Sequence, residues 1–347
     1  MSRMLNGRVA ASALAAVGLG LLSAAALTIP AAQAAPARPT LTSGTPIYLG
    51  TATGYSADAF TQAPADGKLI APGSVLYSIG NVVYAVKPGA AAYKIALHAP
   101  GKVIALAAST SSIFVQVGLR VYAYDRGNGN PLGSWKLSSP VTPITSAGLL
   151  AEGNTVWSWT DWATDTSGFE YATVSRIDAG VSGSTPAIIS ELAYPGDMVA
   201  TAAGLYFEFQ KATGYLGFAP ASGGPVASAA ISKVDAPMAF WGGFVELLSS
   251  AHVVAFSAAT LAQVSSHPVS ARDRTIAGSN VGLTSLSEPC GGLYCAGATV
   301  SRVALANGRE TGTIRVPGAF LLLPGAGTGP AVIEVGKGKL YLVRVAA

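Results

Sequence analysis

The sequence predicts an all-β chain made of a repeated unit of four antiparallel strands, and three observations support this fold class. From Gly44 onward, short apolar or alternating runs are broken by Gly, Pro, Ser and Asn, with no sustained period of 3.6 residues. A segment in which an apolar strand enters a turn recurs at intervals of about 38 to 53 residues. The last copy ends one strand short, and the N-terminal segment offers a strand to complete it. Together these observations predict a β-propeller.

Seven copies of the recurring segment predict seven blades. They include VVYAVKPG, VYAYDRGNG and ATVSRIDAG. The equivalent positions are Lys87, Asp125, Asp178, Ala219, Ser257, Ala304 and Arg344. Six or eight blades remain the alternative, because the third and sixth copies are long and irregular.

Within each repeat, joints containing Gly or Pro separate the strands. In the first repeat we expect the four strands at Lys68–Ala71, Val75–Ser78, Val82–Val86 and Tyr93–Leu97. In the second repeat, VYAYD is the third strand, RGNGN is its turn, and Trp135 lies at the start of the fourth strand. The fifth repeat has the same arrangement in MAFW, FVELL, HVVAFS and LAQVSS.

The seventh repeat predicts how the ring closes. AFLLLP, AVIEVG and KLYLVRV supply three strands before the chain reaches Ala347. If Ile47–Thr51 pairs beside Leu340–Val345, the N-terminal strand completes the last blade and no long sheet edge stays exposed. We therefore assign residues 46–347 to a single propeller domain and residues 35–45 to a short linker.

The first 34 residues resemble an export signal. Two arginines, Arg3 and Arg8, precede an apolar run from Ala10 to Leu27, and Ala32-Gln33-Ala34 is a small-x-small cleavage sequence. We expect cleavage after Ala34 and secretion of the remaining chain, without a stable membrane anchor. An uncleaved anchor is the alternative, because about 18 apolar or small residues can span a bilayer.

The composition argues against nucleic acid as a partner. Loss of residues 1–34 removes Arg3 and Arg8, so 19 basic residues remain against 17 acidic ones. Such a balance gives no basic footprint for a phosphate backbone. Half of the residues are hydrophobic and only 11% are charged, which is typical of a chain that buries most of its surface in sheets.

The two cysteines, Cys290 and Cys295, lie in the sequence PCGGLYC. In an exported protein, a close pair of cysteines predicts a disulfide that closes a short loop. A metal site is the alternative, but no second cysteine pair exists and the three histidines are scattered. We therefore predict a disulfide and no metal site.

The second repeat carries a resemblance to a known family. The stretch from Ala123 to Gly129, followed by Trp135, resembles the tryptophan-docking motif of pyrroloquinoline-quinone-type propellers, in which an alanine, an acid and a glycine turn precede a tryptophan. Weaker matches lie at Val254–Thr260 and Ala219–Gly223. The resemblance implies that Asp125 and Trp135 dock neighbouring blades. Under the alternative that the chain is an enzyme of this family, the resemblance implies pyrroloquinoline quinone with calcium as a cofactor, although residues that would hold them cannot be placed in this chain.

No local sequence motif indicates catalysis. The chain lacks a G-x-S-x-G elbow, an H-E-x-x-H zinc motif and a phosphate-binding glycine loop before a helix. We therefore predict no catalytic residues and no cofactor.

The strand order predicts where a site would lie. Connections between second and third strands share one edge of the blades with the starts of the first strands, and the third and sixth repeats gain their length there. Loops on a rigid scaffold often carry function. The candidate ligand-binding residues at this edge are Asp161, Trp162, Asp165, Arg272 and Arg274. The nearby Trp157 and Trp159 alternate along a strand, so we interpret them as packing between blades.

These observations predict a secreted, non-catalytic β-propeller that binds an extracellular protein, a glycan or a cell-wall polymer. The alternative is a small-molecule enzyme on the same fold, either a degenerate quinoprotein dehydrogenase or a propeller lyase or hydrolase. Such enzymes recruit acids and histidines from several blades, so their sites need leave no local motif. Fold alone does not establish chemistry.

Overall fold

The described part of the chain contains twenty-nine β-strands in the computed structural model. The structure describes residues 41–51, 60–62, 74–86, 93–95, 97, 99–138, 147–161, 171–181, 184–193, 197–210, 213–232, 237–249, 252–269, 273–279, 282–287, 299–304, 309–317, 319–323, 331–336 and 339–346. All described regular elements are strands, in agreement with the all-β prediction. The same ranges contain no helix long and apolar enough to cross a membrane.

These strands form six antiparallel sheets. Within the sheets, each predicted repeat forms a meander of consecutive strands. The first repeat forms β3 (Phe60–Gln62), β4 (Val75–Ile79), β5 (Val82–Val86) and β6 (Tyr93–Lys94). The second forms β7 (Ala105–Ala108), β8 (Ser112–Val117), β9 (Arg120–Asp125) and β10 (Pro131–Lys136).

The third and fourth repeats share one eight-stranded sheet, in which a single residue pair, Ala193 with Gln210, joins the two meanders. The third repeat forms β11 (Ala147–Glu152), β12 (Thr155–Asp161), β13 (Tyr171–Asp178) and β14 (Ala187–Ala193). The fourth forms β15 (Met198–Ala200), β16 (Gly204–Gln210), β17 (Gly214–Pro220) and β18 (Ala227–Ile231).

The remaining repeats each form one sheet. The fifth forms β19 (Met238–Trp241), β20 (Phe244–Ser249), β21 (His252–Ser257) and β22 (Gln263–Pro268). The sixth forms β23 (Asp273–Ser279), β24 (Gly282–Ser287), β25 (Thr299–Ala304) and β26 (Arg309–Arg315). The seventh forms β27 (Ala319–Leu323), β28 (Ala331–Gly336) and β29 (Lys339–Ala346), and β1 (Thr42–Ser43) and β2 (Ile47–Thr51) both pair with β29.

The N-terminal strands occupy the position beside β29 that the sequence predicted for Ile47–Thr51. Ile47 lies opposite Leu342 and Thr51 opposite Lys339, in antiparallel register. The pairing begins earlier than expected, because Thr42 and Ser43, which the sequence places in the linker, pair with Ala346 and Val345. The backbone N–H of Gly44 adds a bond of 2.8 Å to the carbonyl of Arg344.

Three details of the sequence prediction need correction. The strand that pairs with β4 is β3, whereas the predicted strand Lys68–Ala71 lies outside the described residues. Trp135 is the fifth residue of β10, not its first, because the strand begins at Pro131. In the fourth repeat, the residue equivalent to Asp125 is Pro220 and not Ala219. Asp125 and Pro220 each lie opposite the first residue of the second strand in their repeat.

The core lies between successive sheets, because each meander buries both of its faces. Among the described residues, six apolar clusters each combine side chains from two consecutive repeats, from the first and second through to the sixth and seventh. Leu76 with Ile113 and Phe114 with Val156 are such pairs of fully buried residues. Strands buried on both faces explain the high hydrophobic fraction of the sequence.

Candidate functional site

The two edges of the meanders differ in their connections. At one edge, named here the tight-turn edge, the first strand joins the second and the third joins the fourth. At the other, the long-loop edge, the second strand joins the third and the first strand begins. At the long-loop edge, residues 162–170 connect β12 to β13 and residues 288–298 connect β24 to β25, while the equivalent connection of the second repeat, from β8 to β9, consists of Gly118 and Leu119 alone.

Asp125 organises the turn after β9 at the tight-turn edge. Its Oδ1 accepts hydrogen bonds from the backbone N–H groups of Gly127, at 2.7 Å, and Asn128, at 2.9 Å. The N–H of Gly129 then donates to the Asp125 carbonyl at 2.8 Å, with Gly129 at a φ of 78°. This left-handed conformation favours glycine, which explains the glycine of the sequence motif.

The fifth repeat builds the same turn from different residues. The N–H of Leu261 donates to the Ser257 carbonyl at 2.8 Å, as Gly129 does to Asp125. Leu261 takes the positive φ, 57°, without being glycine. Its side chain is buried in the cluster between the fourth and fifth repeats, and this burial offsets the backbone strain. The weak sequence match at Val254–Thr260 therefore reflects a shared turn geometry.

Trp135 lies between the second and third repeats. Its indole is buried beside Val121 of its own repeat and Leu149, Val156 and Ile177 of the next one. The indole N–H donates to Ser184 Oγ at 3.1 Å, within the connection that follows β13.

Other side chains make the same kind of bond from one repeat to the next. Arg176 Nη1 donates to the Ala221 carbonyl at 2.8 Å, and the Tyr206 hydroxyl donates to the Ala258 carbonyl at 2.8 Å. Arg344 Nη2 donates to the Val86 carbonyl at 3.4 Å, which links the seventh repeat to the first. The acceptors all lie in, or directly before, a connection between a third and a fourth strand. Sequence analysis missed these donors because they differ in residue type and have no common motif.

Asp197 holds two neighbouring repeats together at the long-loop edge. Its carboxylate accepts from the N–H of Met198 at 2.9 Å and from the N–H of Met238 at 2.8 Å, so it bonds to the first strands of the fourth and fifth repeats. One side of the residue is exposed, but the carboxylate is turned inward onto these amides. Burial of the carboxylate raises the pKa of Asp197, and the two N–H bonds partly oppose that rise. Asp197 therefore has a structural role between the fourth and fifth repeats.

The candidate ligand-binding residues lie partly outside the described ranges. Asp161 ends β12, and Arg274 is the second residue of β23, so the backbone places both at the long-loop edge of their sheets. Trp162, Asp165 and Arg272 lie outside the described residues, as do Cys290 and Cys295. Whether these side chains form one site, and whether the cysteines are joined, therefore stays a prediction.

Trp157 and Trp159 belong to the core. Both contribute to the cluster between the third and fourth repeats, and Trp157 is 1% exposed. The indole of Trp159 lies over Gly148, where a side chain would collide with it. Trp159 is half-buried against this cluster, so both tryptophans pack between the third and fourth repeats, as the sequence predicted.

Buried acids were the main feature that sequence analysis missed. Glu208 and Glu246 lie on second strands and are 0% and 1% exposed. Burial raises the pKa of Glu246 to about 7. The sequences of their strands are otherwise apolar, like those of ordinary core strands. In the second repeat, the position equivalent to Glu246 is occupied by Phe114. Among the described residues, no three His, Cys, Asp or Glu side chains group as a metal site would require.

Comparison with known proteins identifies the fold and not a family. No family model matches the chain, and no curated protein matches its sequence. Similar solved structures are a chain of the mitotic checkpoint complex, the WD40 domain of Neurospora crassa Pan2 and BamB from Moraxella catarrhalis, at 12%, 10% and 12% identity. Their TM-scores are 0.57, 0.54 and 0.51; they cover 93%, 83% and 88% of this chain, which covers 98%, 96% and 100% of theirs.

These neighbours are β-propellers of the WD40 and BamB types, so the predicted β-propeller fold is confirmed at that level. Identities near one residue in ten carry no information about ligands or chemistry. The specific resemblance to pyrroloquinoline-quinone-type propellers has no support from a family model or a sequence match and stays a prediction.

Proposed function

We propose that the chain is an exported, seven-bladed β-propeller, closed by β2, that serves as a non-catalytic binding module through its long-loop edge. Each repeat supplies one blade, and the third and fourth blades touch at the single pair of Ala193 with Gln210. Closure is supported by the pairing of β2 with β29 and by the bond from Arg344 to Val86, which connects the last repeat to the first.

The difference between the two edges carries the functional proposal. At the tight-turn edge, Trp135, Arg176 and Tyr206 bond to the turns of the next repeat, so these turns are engaged in holding the propeller together. Of the three longest connections between described strands of one repeat, residues 162–170 and 288–298 lie at the long-loop edge, and residues 63–74, which join β3 to β4, lie at the tight-turn edge. The two at the long-loop edge contain Trp162, Asp165 and the cysteines, and β23 brings Arg274 to the same edge of its sheet. Long connections on a rigid scaffold suit recognition of a partner.

We infer that the partner is an extracellular protein, a glycan or a cell-wall polymer. The export signal expected in residues 1–34 supports a location outside the cytoplasm, and the near-neutral charge of the remaining chain gives no basic footprint for nucleic acid. One structural neighbour belongs to a multiprotein complex, which shows that this fold takes part in protein assembly elsewhere.

The test compares variants at the two edges. The mature chain, beginning at Ala35, is screened against glycans, cell-wall polymers and co-secreted proteins. A long-loop variant carries Trp162→Ala, Arg272→Ala and Arg274→Ala. A matched tight-turn variant carries Asn128→Ala, Ser222→Ala and Thr260→Ala, which remove exposed side chains from three turns. We expect the long-loop variant to lose binding to the screened ligand and the tight-turn variant to keep it, with both melting temperatures near that of the wild type.

A loss of binding confined to the tight-turn variant would contradict the choice of edge while keeping the binding module. Calorimetry with pyrroloquinoline quinone and calcium tests the alternative enzyme directly. Tight, calcium-dependent uptake accompanied by dye-linked oxidation of an alcohol or sugar would contradict the non-catalytic proposal.

A further inference from the structure

A buried glutamate lies between the fifth and sixth repeats. Glu246 is on β20, where side chains alternate between the two faces of the sheet. Val245 and Leu247 face the fourth repeat, since they cluster with Tyr206 and Leu216. Glu246 shares the opposite face with Leu248, which clusters with Ile276 and Leu283 of the sixth repeat. The carboxyl therefore points into the contact between two sheets.

This contact, named here the Glu246 seam, consists of Ala239, Leu248, Val253, Ile276 and Leu283 around the glutamate. Glu246 is 1% exposed, and its Oε2 has no hydrogen-bond partner. Its neighbours across the ladder are Ala239 and Ala255, which offer no polar side chain. On the facing sheet, Ser285 is 0% exposed and its Oγ also lacks a partner. An ionised carboxylate in such surroundings has lost its hydration without gaining an opposite charge, so the neutral acid is favoured.

Few other charges lie on the packed strands. β19 and β24 contain no titratable residue. His252 is exposed at the start of β21 and His267 lies on the outer strand β22. Asp273 and Arg274 are the first two residues of β23. Desolvation is the cause that raises the pKa of Glu246 to about 7.

We propose that the Glu246 seam is a pH-sensitive contact, closed while the buried carboxyl is protonated and weakened when it ionises. In the open seam the carboxyl meets water and titrates near 4.5, the ordinary value for glutamate. The closed seam therefore binds more protons than the open one between about pH 4.5 and 7, and it loses stability as the pH rises through that window. Above about pH 8 both states are ionised and the dependence ends.

Hydrogen exchange measured by mass spectrometry on the full mature chain tests this proposal. The opening constant of peptides covering β20 to β21 and β23 to β24 is obtained at pH 5 and pH 8, after correction for the intrinsic exchange rates. For the wild type we expect the constant to be on the order of 10- to 100-fold larger at pH 8. Glu246→Gln, which keeps the shape and cannot ionise, should change by less than about threefold. Glu246→Leu should behave in the same way and is the second variant if the buried amide prevents folding.

Glu152→Gln is the matched control. Burial also raises the pKa of Glu152, but this residue ends β11 in the third repeat, away from the seam. Its variant should keep the wild-type dependence in the seam peptides. The proposal is overturned if Glu246→Gln and Glu246→Leu retain the wild-type pH dependence. It is equally overturned if the wild-type seam opens less at pH 8 than at pH 5, as a carboxylate paired with a cation such as Arg274 would require.

Discussion

Trp135 shows how a single residue joins two repeats. Its ring fills the space between β9 and the third repeat, and its N–H reaches Ser184 at 3.1 Å. The packing removes a large apolar surface from water, whereas the one hydrogen bond adds a smaller contribution. Most of the stabilisation from Trp135 should therefore come from its ring.

Replacing Trp135 separates these contributions. Trp135→Ala leaves a cavity between two repeats and should lower the free energy of unfolding by about 3 to 5 kcal/mol. Trp135→Phe keeps one aromatic ring in the cluster but loses part of the packing and the bond to Ser184, so it should cost clearly less than Trp135→Ala. Urea denaturation followed by far-ultraviolet circular dichroism measures both. A loss below about 1 kcal/mol for the alanine variant would be inconsistent with the observed burial.

Asp197 makes a polar contact between repeats that asparagine cannot reproduce. Its two oxygens accept from Met198 and Met238, whereas an asparagine side chain has a single acceptor oxygen. Asp197→Asn should therefore destabilise the protein by about 1 to 3 kcal/mol, because one buried N–H loses its partner. Asp178→Asn is the control, since Asp178 caps only an exposed turn through Gly180. Equal stability losses in the two variants, measured by urea unfolding at constant pH, would argue against this role of Asp197.

At the scale of strands, the sequence predicted some boundaries well and others poorly. β2 was predicted at its observed residues, Ile47–Thr51, because its apolar run stands between clear breakers. The sequence did not predict β3, because Phe60–Gln62 is too short to show an alternation of apolar and polar residues. The first strand was instead predicted at Lys68–Ala71, which is more apolar. The turn after Asp125 could be predicted from the sequence, because an Asp side chain accepts hydrogen bonds from the backbone of a turn and Gly takes a positive φ.

Removing the N-terminal strand tests its role in the last sheet. Deletion of Gly44–Ala52 takes away β2, so most of β29 loses a neighbour and presents an unpaired edge. We expect a melting temperature lower by several degrees, on the order of 4 °C or more, because even 1 kcal/mol shifts the transition of a domain by a few degrees. A chain shortened only by residues 35–40 serves as the control and should melt like the mature protein. A deletion variant as stable as this control would show that β2 contributes little.

At the scale of the whole molecule, the fold was predictable and the site was not. Turn residues recur with the repeat, and successive sheets bury apolar faces against one another, so a single sequence contains the pattern many times. A binding site needs side chains from different repeats to meet, and no spacing along the chain encodes that meeting. Asp161 and Arg274, for example, lie on β12 and β23, with two repeats between them. Strand order alone predicts that both residues lie at the same edge, but it does not predict whether they bind a ligand.

The maturation of the chain gives a prediction for the entire molecule. Intact-mass spectrometry of secreted protein should find a chain that begins at Ala35, as the cleavage sequence Ala32-Gln33-Ala34 implies. Its mass should be lower by two hydrogen atoms than that of the reduced form, because Cys290 and Cys295 are predicted to be joined. Reduction with dithiothreitol provides the control. A full-length N-terminus in the membrane fraction would contradict secretion, and an unchanged mass after reduction would contradict the disulfide.

Protection from hydrogen exchange on ligand binding tests the central claim most directly. The mature chain is compared with and without the protein, glycan or polymer that the screen selects, and the difference is mapped onto the two edges. The proposed function predicts slower exchange in peptides covering residues 162–170, 288–298 and the start of β23, with no change in the turns after β9 and β21. Protection concentrated in those turns, with none at the long loops, would contradict the assignment of the long-loop edge as the binding surface.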